Sequence, residues 1–294
     1  LGLIFEDSTG SGLQHQYFAR IFDSINVNAN KAGYDITFLN SSNTNGGDYL
    51  GQAKYRGCDG VIIASTNFYR EDIQKLLQSD MPVSTLDFID KDRHPAAMSD
   101  NFTGMKILTE EIIKAGHKKI AFIHGSLNTA VTKIRVNTFK DCIKNYNIFL
   151  PDNYIVEGDY HDPHSSAEGT KKLLELDESM RPTCILYPDD FAALGGIRVL
   201  EERGIKPGRD ISITGYDGIF LASLLTPPLT TYEQNTKAIG SALVDELVKQ
   251  IENPKTYCPQ IVSVHGQFVK GGSLIECKEE KIFQKKEKKF LDKY

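Results

Sequence analysis

Short, continuously apolar runs alternate along this 294-residue chain with segments whose apolar residues return every three or four positions. Leu1–Phe5, Ile36–Leu39, Gly60–Ala64 and Pro82–Leu86 are such runs, with a shorter one at Ala97–Ser99. Between them Phe18, Ile21, Phe22, Ile25, Ala29 and Ala32 share one helical face that stops at Gly33, Tyr49–Tyr55 is a helix stopped by Gly57, and Ile73–Leu77 is another. Strands that are apolar on both faces and separated by helices predict parallel sheets covered by helices on both sides.

The alternation restarts at Asn101. Met105, Leu108, Ile112 and Ala115 mark a helix, Lys119–His124 a strand, and Val136, Phe139, Cys142 and Ile143 a helix. Tyr154–Glu157, Ala167–Leu176, Cys184–Tyr187, Asp189–Glu202 and Ile211–Tyr216 continue as strand, helix, strand, helix and strand. Asp217-Gly218 ends that last strand, and Pro227-Pro228 excludes a helix, so Pro227–Tyr232 is expected to run extended as a crossing between two bodies. Ile239, Leu243, Leu247 and Ile251 form one more helix, left over from the second series and expected to return to the first sheet. Gln260–Val264 and Gln267–Lys270 are the final strands. The expected fold class is α/β, with two open parallel-sheet lobes; a chain of this length favours two cores over one.

Composition excludes several classes. No run approaches the roughly 20 apolar residues of a membrane span, and the N-terminus lacks the form of a secretion signal. The chain begins without Met and inside a strand, which reads as a fragment or processed product. Five cysteines at wide spacings, without a CxxC pair, suggest free thiols in a reducing cytoplasm. The last seventeen residues hold seven Lys against four acidic residues and read as a solvated or disordered tail; their net +3 leaves −8 on the remainder. So acidic a body is a poor partner for nucleic-acid phosphates.

Open sheets of this kind bind ligands beyond the carboxyl ends of their strands. That singles out Asp7-Ser8, Ser65, Asp87, His124, Tyr160, Asp189-Asp190 and Asp217. Asp189-Asp190 fits a general acid–base pair, a helix N-cap or a ligand contact. Asp217 fits a turn or a ligand contact; Arg135, taken alone, a solvated charge; Tyr160, a core ring or a stacking surface. His161 and His164 lie three apart, but Pro163 between them is expected to make the segment a loop, and no third metal ligand is evident. No dinucleotide, phosphate-loop or nucleophile-elbow motif occurs, so no cofactor, metal or catalytic residue is expected.

The segments AGHKKIAFIHG (115–125), VNTFKDCI after Arg135, EGDY (157–160), PDDFAALGGIRVLEERGI (188–205) and ISITGYDGIFLASLLTPPLTTYEQ (211–234) together resemble the effector-binding core of LacI/GalR-family transcription regulators. The resemblance runs over residues 1–276, and LTPPLTT with the DDFAALGG helix is its most specific part. It implies two lobes of the type I periplasmic-binding-protein-like kind, residues 1–101 with 235–262 and 102–234 with 263–277, joined by three crossovers and followed by the tail 278–294. It also implies a small effector, a mono- or disaccharide, with Arg135, Asp189, Asp217 and Tyr160 contacting it from one lobe. Asp87, Ser65 and the loop from Asp7 to Tyr17 would face it from the other. Implied partners are operator DNA, reached through an upstream helix-turn-helix domain of about 60 residues, and a second copy of the chain, with no membrane. Three features depart from the family pattern: Asp189 where Asn is usual, Gly218 in place of a second acid, and a longer first-lobe loop. An extracytoplasmic sugar-binding protein of a transporter is the alternative on the same fold.

Overall fold

The computed structural model describes residues 1–6, 12–40, 48–90 and 93–277; the expectations for Asp7 and for the charged tail lie outside them. The chain divides into two compact units, Leu1–Asp100 with Asn235–His265, and Asn101–Gln234 with the chain from Gly266 onward. It therefore passes between units three times. The expected boundary after residue 262 falls instead after His265, because Ser263 and Val264 pair with Met98 and Ser99 in the first unit's sheet. Asn101 likewise starts the second unit.

In the first unit, β1 (Gly2–Phe5), β2 (Thr37–Leu39), β3 (Val61–Ser65), β4 (Val83–Leu86), β5 (Ala96–Ser99) and β11 (Ile261–Val264) form a parallel sheet in the order β11-β5-β4-β3-β1-β2. One face is covered by α1 (Gln16–Lys31) and α9 (Thr236–Glu252). Ile239, Leu243 and Leu247 of α9 share a core with Leu3, Ile21, Ile25 and Ala97, so the left-over helix does close on the first sheet. The opposite face is covered by α2 (Tyr49–Tyr55) and α3 (Glu71–Leu77), through Tyr49, Ala53, Ile73 and Leu76.

In the second unit, β6 (Ile120–His124), β7 (Ile155–Glu157), β8 (Cys184–Leu186) and β9 (Ser212–Thr214) form a parallel sheet in the order β7-β6-β8-β9. Helices α4 (Asn101–Lys114) and α5 (Ala130–Asn145) pack in one core with Phe122 and Leu186, while α6 (Pro163–Leu174) and α7 (Asp190–Glu202) pack in another with Ile123 and Ile185. A two-stranded antiparallel ribbon, β10 (Thr231–Glu233) with β12 (Gln267–Val269), completes the unit.

Two local expectations are corrected, and one short element was not anticipated. Pro163 does not make a loop: it is the first residue of α6, where no backbone N–H is needed, and Asp162 caps the helix by accepting from the His164 and Ser165 N–H groups. A short helix, α8 (Phe220–Leu224), follows Asp217; five residues are too few to display a helical period. Pro227–Tyr232 runs extended but inside the second unit rather than between bodies. It lies alongside β9: the N–H groups of Gly215 and Asp217 donate to Thr230 O and Tyr232 O, and Ser273 N–H to Pro228 O. The passage to the first unit comes only after Gln234.

Helices α6 and α7 meet closely at Gly195, where a Cβ would lie 1.7 Å from the Pro163 carbonyl oxygen. Gly195→Ala is therefore expected to push the helices apart and cost about 1–3 kcal/mol, read as a lower urea midpoint. An unchanged midpoint would mean that the helices do not approach this closely.

Candidate functional site

In the second unit, four of the expected residues gather at the carboxyl ends of β6 to β9. Arg135 projects from the second turn of α5 and is only 4% exposed. Its guanidinium lies 3.7 Å from the centroid of the Tyr216 ring and 5.6 Å from that of Tyr160, and it donates to Asn101 Oδ1 (2.8 Å) and the Pro188 carbonyl (3.3 Å). The solvated reading of Arg135 thus fails: a guanidinium stacks on aromatic faces while its edge donates, and here both are satisfied inside the protein.

Asp217 follows β9 with φ 100° and is buried. Its backbone is fixed on both sides, its N–H donating to Tyr232 O and its carbonyl accepting from Gln234 N–H, and the Gln234 side-chain amide donates to its Oδ1 at 2.6 Å. Asp189 caps α7, accepting from Ala192 N–H (2.7 Å), and also accepts from the His161 N–H (2.5 Å). It therefore fastens the β7–α6 loop to the start of α7, and His161, at φ 53°, stacks on Phe191 with centroids 4.0 Å apart. A second carboxylate oxygen at this position serves both strands of that junction, which a single amide oxygen would not. Tyr160, on the same loop, is half-buried with its hydroxyl 3.0 Å from Thr132 Oγ1. Asp190 turns inward, accepting from the Ile219 N–H at 2.9 Å and so holding the entry to α8.

In the first unit, Ser65 ends β3 and donates to the Glu6 carbonyl (3.1 Å). Asp87 follows β4 at φ 56°, its N–H on Ala97 O. Tyr17 is 7% exposed and packs beside Phe18 in a core cluster that also holds Ala64 and Leu86, the neighbours of Ser65 and Asp87. Sequence reading missed Glu6 and Arg70. Glu6 accepts from Tyr49 Oη (2.6 Å), from the Thr66 hydroxyl and from both terminal nitrogens of Arg70 (2.9 Å each). Burial alone would raise its carboxyl, but Arg70 and the hydroxyls outweigh burial and hold it below the ordinary value. Glu6 stands directly after a strand, which was a usable signal; nothing in the sequence ties Arg70 to it. Among the described residues no group of His, Cys, Asp and Glu could hold a metal. A groove of about 630 Å³ bordered by Gly204, Lys206, Arg209 and Pro227 lies at the entry to β9, the far end of that strand from Asp217.

Burial raises the carboxyls of Asp189, Asp190 and Asp217. Asp189 is pushed up to about 7, the Asp217 charge adding to burial. Asp190 is raised well above its ordinary value, and Asp217 is raised although Arg135 and Gln234 oppose it. A carboxyl with a raised folded-state pKa keeps a proton that the unfolded chain has released, so its stabilisation is present at low pH and lost as pH rises through the folded value. The urea midpoint is expected to fall between pH 6 and 8 by an amount worth about 1 kcal/mol for Asp189, and Asp189→Asn should remove that slope. The difference between the two proteins is the quantity to read, because burial lowers the pKa of His117 and gives it an opposite slope below about pH 6.5. Arg135→Ala is expected to cost about 3–5 kcal/mol, since it leaves Asn101 Oδ1 and the Pro188 carbonyl without this donor and removes the charge that opposes burial at Asp217; a melt like that of the parent protein would contradict its packing.

Comparison with known proteins gives the family of the chain. Residues 109–274 match the periplasmic binding protein-like domain family. The chain is 30% identical over 257 residues to the HTH-type transcriptional repressor PurR of Actinobacillus pleuropneumoniae serotype 3, covering 86% of this chain and 76% of the relative. A LacI family transcriptional regulator from Enterococcus faecium with bound ribose superposes with a TM-score of 0.80 at 23% identity, over 94% of this chain and 99% of that one. The transcriptional regulator CelR in complex with cellobiose gives a TM-score of 0.81 at 19% identity, over 92% and 83%. The chain belongs to the LacI family of transcriptional regulators and spans that family's periplasmic-binding-protein-like effector-binding core.

Proposed function

We propose that this chain is the sensing core of a cytoplasmic transcriptional repressor that takes a mono- or disaccharide as its effector and acts as a homodimer on operator DNA. Arg135, Asp217, Asp189 and Tyr160 in the second unit, and Ser65, Asp87 and Asp7 in the first, are its proposed site residues, with Asp189 acting through the loop it fastens. The observation that carries the reading is the presence of Arg135 and Asp217 at one edge of the sheet, near enough for the guanidinium to oppose the burial of the carboxyl. A guanidinium and a carboxylate, both buried and both held by neighbours, stand at the carboxyl ends of parallel strands. A sugar offers hydroxyls that accept from the first and donate to the second, and a C–H face that suits the Tyr160 ring. The relatives with bound ribose and cellobiose support the same ligand class. The name of the PurR relative supports a helix-turn-helix reader acting with such a core. No helix among the described residues is long and apolar enough to cross a membrane. A saccharide would alter operator binding only through different affinities for two states of the protein.

The test is a thermal-shift and calorimetric panel of ribose, glucose, galactose, cellobiose and maltose. One of them is expected to raise the melting temperature, as any ligand selective for the folded state must. Asp217→Asn keeps the oxygen that accepts from Gln234 but loses the charge, and is expected to weaken that sugar at least about tenfold. A panel without effect would sink the saccharide reading, and equal affinity in Asp217→Asn would remove that residue from the site. Sedimentation at tens of micromolar checks the dimer.

A further inference from the structure

Aromatic rings gather at the carboxyl edge of the first unit, beside Ser65 and Asp87. Phe68, on the β3–α3 loop, and Phe88, directly after Asp87, lie face to face with centroids 4.0 Å apart and planes 3° from parallel. Tyr69 meets Phe88 edge-on at 6.1 Å and 81°, yet it is 83% exposed. A ring so exposed gains little from burial, so the loop that carries it must be fixed by other means.

Polar contacts supply them. Arg70 donates to both oxygens of Glu6 (2.9 Å each) and both of Asp72 (2.6 and 2.7 Å). Charge-assisted, two-pronged pairs of this kind set direction as well as distance. The Tyr69 N–H donates to Asn67 Oδ1 (3.1 Å), Gln74 Nε2 to Phe68 O (2.7 Å), and Thr85 Oγ1 to Phe88 O (2.6 Å). Both segments that bear the rings are thus tied to their own backbone and to neighbouring elements. Such ordering costs conformational entropy, and the core of the unit gains no packing from Tyr69 in return.

We propose that Tyr69 is a specificity-determining wall of the effector site, a pre-set aromatic surface against which a sugar ring stacks next to Ser65 and Asp87. The inference rests on the saccharide reading above. A pyranose presents a patch of C–H groups on one face and hydroxyls around its rim; an exposed ring beside polar groups matches that division. Ring pre-ordering by Arg70, Glu6 and Asp72 would leave less freedom to be lost when the sugar binds.

The chain contains no tryptophan, so Tyr69→Trp creates a single indole emitter at the proposed contact. Using the sugar that shifts the parent protein in the panel above, the indole emission of Tyr69→Trp is expected to change saturably with the same midpoint as the thermal shift. Tyr69→Ala should weaken binding about three- to tenfold, and Tyr69→Phe should stay within about twofold. Truncation at so exposed a position removes no core packing, and the sugar-free melt checks this. If the parent protein binds a sugar while Tyr69→Ala binds it equally and the indole emission of Tyr69→Trp is unmoved, the wall is refuted and the saccharide reading stands. If no sugar in the panel shifts the parent protein, the saccharide reading falls and this inference falls with it.

Discussion

A buried guanidinium organises the second unit. The Arg135 guanidinium carbon lies over the Tyr216 ring, 3.7 Å from its centroid, and its nitrogens donate to Asn101 and the Pro188 carbonyl. Those partners come from the start of α4, the end of β8 and the end of β9, so one side chain ties together three crossings of the carboxyl edge. Removing a charge from water is costly unless it is paired and hydrogen-bonded. The nearby acids share that compensation: Arg135 opposes the burial that raises Asp217 and Tyr160. Asp189 and Asp190 are held instead by backbone N–H groups, at the end of a helix where the dipole favours negative charge.

The two neighbouring aspartates illustrate how one sequence motif separates into distinct tasks. Asp189 faces the β7–α6 loop and fixes Tyr160 and His161 relative to α7. Asp190 faces the other way and holds Ile219, and with it α8 and the strand that returns through Pro227-Pro228. A change at one would loosen a wall of the proposed site; a change at the other would loosen the frame behind it. The first unit solves a similar problem with the opposite material. Its carboxyl edge is set by a partly buried ion-pair network, in which Glu6 and Asp72 hold Arg70 and through it the loop that carries Phe68 and Tyr69. Surface ion pairs contribute little to stability individually; here their value lies in direction.

The succession of elements could be read along the chain because most strands are apolar runs and most helices amphipathic repeats, and both are local signals. Tyr49–Tyr55 has the same bounds in pattern and in structure. Where the pattern was too short or the residue ambiguous, it misled: α8 spans only five residues, and Pro163 suits a loop and a first helical turn equally. The residues that follow strands were legible by position, but what each of them contacts was not. Tyr17 is spaced like a loop residue and packs as a core one. Arg135 looks like a surface charge until Tyr216, far along the chain, supplies its face.

Periodicity, strand ends and the proline pair were therefore enough to establish an α/β chain with two parallel sheets and a short roster of residues at their carboxyl edges, because hydrophobic patterning is a property of neighbours in sequence. Which of those residues is buried, paired or left open depended largely on partners distant in the chain, as for Asp189 with His161, 28 positions away, and Glu6 with Arg70, 64 away. Contacts of that span form only when strands and helices have packed, so no local pattern carries them.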